Sequence, residues 1–364
     1  MDDFIEITPS GFRRPPVVEA IRTQARRSSK RLHRHGLDES IYLDPEKTDL
    51  LLVKTAAQWM KQEYGKPMPR MLLGDLWMEG ELCVLFADTN LGKSILAVQI
   101  GNNLAQGVCT GDLNNQLPPQ THVLYVDFEM GSKQFESRYY HPQWGSYPFG
   151  KTFYRAEFNP AANNPALYDD YDTYLENALE SAITQSKARV LIIDNLTYMA
   201  TGTERAREAL PLMKKLKAIK TRHKLSMLVL AHTPKRDAAK AITVNDLQGS
   251  KMIINFCDSA FAIGKSYTRA GALYLKQIKQ RSTTARYGAD NVCLCQITRD
   301  LNDLHFTFTG HAHERNHLQR PDAQSSDHLK QQARELRRQG HSYRQISKTT
   351  GIALSTLARW IGEE

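Results

Sequence analysis

The sequence predicts an α/β fold: a mostly parallel sheet flanked by helices, followed by a small all-helical unit. Three observations predict it. Apolar runs alternate with helical stretches from about residue 70 to 310. Most of these runs are apolar at consecutive positions, as strands covered on both faces must be. The last runs follow one another with no helix between them, as an antiparallel hairpin or meander should.

The elements are justified in chain order. Residues 1–44 lack apolar periodicity, hold the Pro15-Pro16 pair and read as a basic, partly disordered arm. Over 45–64 a helix is predicted. Asp44 can cap it, Pro45 suits its first turn, and Leu50, Leu51, Val53, Ala56, Ala57 and Met60 supply an apolar face. Strands are predicted at Leu82–Ala87, His122–Phe128, Val190–Asp194, Leu225–Ala231, Ser259–Ile263, Leu273–Lys279, Val292–Ile297 and Leu304–Phe308. Helices are predicted at Lys93–Gln106, Tyr168–Gln185, Thr203–Arg222 and Asn245–Asn255. The domain plan is therefore an arm (1–44), a core (45–310), a polar linker (311–327) and a helical module (328–364).

Composition narrows the classes. Hydrophobic residues make up 41% and charged residues 24%, ordinary values for a globular chain. No uncharged apolar run of about 20 residues is present to span a bilayer. The start, Met1-Asp2-Asp3-Phe4, is acidic and leads into no apolar stretch, which reads against a secretory signal. The five cysteines, Cys83, Cys109, Cys257, Cys293 and Cys295, lack CxxC spacing and sit mostly in apolar runs. They fit a reducing, cytoplasmic compartment rather than a zinc site or a disulfide frame. Net charge is +9, with +7 in residues 13–34, +4 in 328–364 and −2 over the rest. Basic ends on a near-neutral core suggest a polyanion partner, with ordinary solvated charge as the alternative.

The segment Ala87-Asp88-Thr89-Asn90-Leu91-Gly92-Lys93-Ser94 lies between an apolar strand and an amphipathic helix. It fits G-x-x-x-x-G-K-[ST] except that Ala87 stands first. Loop N–H groups and the helix N-terminus curl around phosphates, and Gly92 lets the main chain approach. Lys93 reaches the β- and γ-phosphates, and the Ser94 hydroxyl can ligate Mg²⁺. Asp194 ends an apolar strand at the edge where open α/β sheets bind ligands. It is a candidate Mg²⁺ ligand, direct or through water; alone, such an Asp is more often a helix cap. Glu129 is delivered to the same edge and can orient or deprotonate an attacking water. Asp127 lies inside the strand run and can be structural.

This order of motifs resembles the RecA-type ATPases over roughly residues 70–310. Within them it is most similar to the DnaB-type and RepA-type hexameric helicases and their relatives on plasmids and mobile elements. The segment Leu73-Gly74-Asp75-Leu76-Trp77 also has the look of this group. The resemblance implies an ATPase using ATP and Mg²⁺. Lys93 and Ser94 match the Walker A pair, Asp194 matches Walker B, and Glu129 matches the catalytic glutamate. His232, in Leu230-Ala231-His232-Thr233, falls where relatives carry a γ-phosphate sensor; a satisfied strand-end histidine is the plain alternative. Lys279-Gln280-Arg281 resembles an element that reaches a neighbouring subunit's nucleotide, which implies a homo-oligomer, usually a hexamer. Exposed hairpins are often basic at alternate positions, so that reading competes. Lys235, Arg236 and Lys240 lie where relatives place a mobile DNA-contacting loop, here diluted by Asp237 and Asp246. The segment 1–64 is too short and too basic for the primase-binding domain of replicative helicases, which argues against a cell's main replicative helicase.

The tail reads as three short helices with a Gly turn, and Gly340–Trp360 resembles the helix-turn-helix of resolvases and transposase-like proteins. That implies base contacts from Ser355, Thr356 and Arg359 and phosphate contacts from Arg344 and Lys348. Trp360 reads as core. A protein-docking tail is the alternative. Two functions follow: an ATP-driven DNA motor or remodeller of a mobile element, or an ATP-gated switch that recruits a transposase, integrase or initiator without unwinding.

Overall fold

The computed structural model describes residues 53–159, 161–162, 171–199, 206–234, 236–247, 250–319 and 323–362. The chain divides into two compact units, Met1–Pro67 and Met68–Glu364.

In the first unit the described structure is one helix, α1 (Ala56–Glu63). Thr55 caps it in a reciprocal capping box with Gln58. The expected apolar face is not covered: no residue of α1 is buried, and Val53 and Met60 are 89% and 73% exposed. Residues 45–52 of the expected helix lie outside the described residues, as does the arm 1–44.

The second unit opens with Leu72, Leu73, Leu76 and Trp77, all buried. The chain then runs through β1 (Leu82–Ala87), α2 (Lys93–Gln106), β2 (Val123–Asp127), α3 (Ser132–Arg138), the small hairpin β3 (Tyr140–His141) and β4 (Gly145–Ser146), and β5 (Phe153–Ala156). It continues with α4 (Tyr171–Ser186), β6 (Val190–Asp194), α5 (Ala206–His223), β7 (Ser226–His232), α6 (Ser250–Phe256), β8 (Ser259–Lys265), β9 (Ala272–Lys279), β10 (Val292–Asp300) and β11 (Asp303–Ala312).

Among the described residues nine strands form one sheet in the order β11-β10-β9-β8-β1-β7-β6-β2-β5. The pairings from β8 to β5 are all parallel, and those among β8, β9, β10 and β11 are antiparallel. Parallel neighbours need crossovers, which the helices supply, and those helices cover both faces. Strand alternation divides β1 between two cores. Leu82, Val84 and Phe86 face the side of α4 and α5; Cys83, Leu85 and Ala87 face the side of α2 and Trp77. The fold is thus a mostly parallel sheet flanked by helices. Among the described residues no helix is long and apolar enough to cross a membrane.

The core extends past residue 310, into the expected linker. β11 reaches Ala312, and Glu314, 1% exposed, pairs with buried Lys276. His317 is also buried and contacts the Ser266 hydroxyl at 2.8 Å. A polar sequence hid this because the buried groups are polar and satisfy one another, Glu314 with Lys276 and His317 with Ser266.

Three helices follow: α7 (Ala323–Arg338), α8 (Tyr343–Thr350) and α9 (Leu354–Gly362). Ala333, Ile346, Ile352 and Leu357 form their small core, with Leu329, Leu336, Tyr343, Trp360 and Ile361 packed around it. Ser342 caps α8 through a capping box with Gln345, and Gly351 ends it at φ 72°. The last helix begins at Leu354, with the amides of Thr356 and Leu357 both donating to the Ala353 carbonyl.

Candidate active site

The register of the sheet brings the predicted residues to one edge. Ala87 pairs with His232, and Asp127 with Asp194. The loop after β1, the acid ending β6, the glutamate after β2 and the histidine ending β7 therefore share the C-terminal edge of the parallel strands, where such sheets bind ligands.

Gly92 stands at φ 80° as the residue before α2. A Cβ there would lie 2.7 Å from Ile297 Cδ1 and 3.0 Å from Phe306 Cε2. The backbone angle requires glycine, and an added Cβ would also press on the end of the Ile297 side chain and the Phe306 ring of the hairpin formed by β10 and β11. Gln99 of α2 fixes that hairpin, donating to the Phe306 carbonyl at 3.0 Å and accepting from its amide at 2.8 Å. Lys93 is 7% exposed and folds into its own loop, donating to the Ala87 and Asp88 carbonyls at 3.0 Å each. Burial lowers its pKa, while Asp194, Glu129 and Asp88 act to raise it.

Asp194 is buried. Its Oδ2 accepts from the Tyr125 hydroxyl at 2.7 Å, and its Oδ1 has no hydrogen-bond partner among the described residues. Burial pushes the carboxyl up to about 6, against the neighbouring Ser94 and Tyr125 hydroxyls, which favour the ionised form. A buried carboxylate oxygen with a free lone pair, beside the Ser94 hydroxyl and facing a phosphate loop, fits a hard oxygen-seeking cation such as Mg²⁺. That ion takes few protein ligands and completes its shell with phosphate oxygens and water.

The structure also brings Glu129 and His232 together, with Glu129 Oε1 3.3 Å from His232 Nε2. The Phe128 amide donates to the Asp194 carbonyl at 2.7 Å, which ties the end of β2 to that of β6. Asp127 is structural: its Oδ1 accepts from the Met130 amide at 2.9 Å, and its Oδ2 from Arg155 Nε at 3.0 Å. Between Glu129 and His232 sits Asn195, fully buried and contacting both. Sequence reasoning missed it, because an Asn after a strand reads as an ordinary turn residue.

A family model described as an AAA domain matches residues 47–238, which includes the loop, Glu129, Asp194 and His232. The chain belongs to this AAA-domain family. The AAA-domain chain is therefore a P-loop ATPase by class. It is similar in structure to a KaiC-like protein of the hyperthermophilic archaeon Pyrococcus horikoshii, with 12% identity, a TM-score of 0.44, and coverage of 64% of this chain and 91% of that one. No protein of curated function matches the sequence.

Other expected residues of the AAA-domain chain lie elsewhere. β9 runs antiparallel to β8, with Lys279 opposite Ala260. Lys279 and Arg281 thus sit at the sheet edge opposite the phosphate loop. Lys279 donates to the Ile254 and Cys257 carbonyls at the end of α6, and Arg281 donates to the Asn255 carbonyl and Asp258. Lysine at a helix C-terminus is also a cap. Arg236 is largely buried, donating to the Lys240 carbonyl and facing Asp246, and exposed Lys240 pairs with Asp237 at 3.2 Å. Lys235 lies outside the described residues. Arg344, Lys348, Ser355 and Arg359 are exposed on the helical tail, and Thr356 is half-buried.

Proposed function

We propose that this chain is an Mg²⁺-dependent, ATP-hydrolysing, oligomeric DNA-binding motor or remodeller acting on a bacterial mobile element. The observation that carries the ATPase reading is the meeting of Lys93, Ser94, Asp194, Glu129 and His232 at one sheet edge. Loop amides and Lys93 would hold the triphosphate, and Ser94 and Asp194 would hold Mg²⁺, which would supply charge neutralisation at the phosphoryl oxygens. Glu129 orients a water and takes its proton as oxygen attacks the γ-phosphorus and ADP leaves. His232 senses the γ-phosphate.

Lys279 and Arg281 stand too far round the sheet to serve their own loop, so any phosphate they neutralise belongs to another copy. This supports a shared site and a homo-oligomer, a hexamer by resemblance. The tail, with Arg344, Lys348, Ser355, Thr356 and Arg359, serves as a helix-turn-helix on duplex DNA.

One observation favours the switch over the motor. The loop expected to track a single strand turns Arg236 inward onto the Lys240 carbonyl and Asp246, whereas Arg344, Lys348 and Arg359 of the tail are exposed. A switch bound to duplex DNA, recruiting a recombinase or initiator, fits that distribution.

The test pairs two measurements on the full chain. ATP hydrolysis with Mg²⁺ should be abolished by Lys93→Ala at the binding step and by Glu129→Gln after binding. A chain that ignores ATP refutes both readings. Displacement of a tailed duplex supports the motor; hydrolysis with duplex binding and no displacement supports the switch.

A further inference from the structure

Asn195 carries an inference that deepens the ATPase reading and rests on it. The side chain is fully buried. Its orientation is decided by a backbone group: the Thr197 N–H lies 2.8 Å from Asn195 Oδ1, and an N–H can only donate. The carbonyl end of the amide is therefore fixed toward Thr197. The NH₂ end faces Glu129 Oε1 and His232 Nε2, the latter at 2.8 Å. An amide nitrogen has two hydrogens and no usable lone pair, so both neighbours must accept.

Glu129 accepts without difficulty as a carboxylate. His232 can accept at Nε2 only if that nitrogen bears no proton, which puts the ring hydrogen on Nδ1. The opposite tautomer would set an N–H against an N–H at 2.8 Å. It would gain in return only a longer contact, 3.3 Å, to Glu129. Nδ1 has no partner among the described residues in either form, so it does not decide between them. The shorter contact decides.

We infer that Asn195 is a positioning residue: one buried amide, aimed by the Thr197 N–H, holds the Glu129 carboxylate in place and sets neutral His232 in its Nδ1–H form. It touches no substrate atom and acts through the two groups that do. No other donor bridges this pair among the described residues. Hydrogen bonds given by a buried, preoriented amide fix such groups within the tolerance that catalysis needs.

The test reads tautomer and turnover separately. In nucleotide-free protein at alkaline pH, two-bond ¹H–¹⁵N correlation spectra of ¹⁵N-histidine-labelled chain give the state of His232, assigned by its loss in His232→Gln. The wild type should show a protonated Nδ1 and a bare Nε2. Asn195→Asp keeps the shape but replaces the donor with an acceptor, so the proton should move to Nε2. Asn195→Ala should give a mixture. Both variants should keep the ATP dissociation constant within about threefold while kcat falls on the order of 100-fold, the cost of a misplaced reacting group. A wild-type His232 with its proton on Nε2, or unchanged kcat in both variants, overturns the inference. The spectra need no ATP, so their outcome stands even if the ATPase reading fails.

Discussion

Asp194→Asn should stabilise this protein while disabling it. In the wild type the carboxyl is buried, with one oxygen bonded to Tyr125 and the other unpartnered among the described residues. Burial raises it from 3.8 to about 6. A carboxyl that holds its proton more tightly folded than unfolded weakens the fold once it ionises. Below about pH 4 it is protonated in both states and costs nothing. Between about pH 4 and 6 the cost grows, and above that it is complete. The rise corresponds to about 3 kcal/mol. Asparagine keeps a carbonyl for the Tyr125 hydroxyl and removes the charge. The lost attraction to Lys93 works the other way, so about 3 kcal/mol is an upper value. Urea unfolding across pH is the assay. The variant should exceed the wild type near neutrality by up to that amount, with the gap closing toward about pH 4. Saturating Mg²⁺ and ATP should then narrow or reverse the gap, since only the ionised wild type gains by binding the ion. Equal stability at neutral pH, or a gap independent of pH, would refute the reasoning.

Three further outcomes follow from particular contacts. Gly92→Ala should cost at least about tenfold in ATP affinity, measured by nucleotide titration, and adding Ile297→Ala should restore only part, because the contact is relieved and the φ of 80° is not. Glu314→Gln should destabilise the core by about 3–5 kcal/mol in urea unfolding, because it strands the buried Lys276 ammonium and weakens the hold on Ile242. Arg281→Ala should lower turnover per chain without changing ATP affinity in isolated subunits; equal turnover would show that Arg281 only pairs with Asp258 and the Asn255 carbonyl.

The central strands were legible because each is buried on both faces and so spells its length in consecutive apolar letters, as Leu82–Ala87 and Val190–Asp194 do. α2 was legible end to end because glycines at positive φ stand on both sides of it. What failed to show was short or lay at the sheet's rim. β5 is a four-residue edge strand with only partial burial, and α3 has no buried residue to mark its face. The expected face of α1 shows the reverse error: apolar spacing says that a face exists, not that anything covers it. The places of Lys93, Asp194 and Glu129 at one sheet edge were legible because each follows from its own strand or loop. Asn195 was not, because its part depends on Glu129 and His232, which only the register brings beside it.

The same register bears on how the chain must work. One sheet carries a phosphate loop, an acid pair and a histidine at one edge and two basic residues at the other. A rigid nine-stranded sheet does not fold its two edges onto one phosphate. If Lys279 and Arg281 neutralise charge on a nucleotide, turnover must therefore rise with protein concentration as copies meet edge to edge. If they only cap α6, specific activity must be the same in dilute and concentrated solution. The cap reading and the shared-site reading thus separate without any substitution. The helix-capping contacts are compatible with both, because a side chain held at a helix end is already ordered and needs little more to face a neighbour.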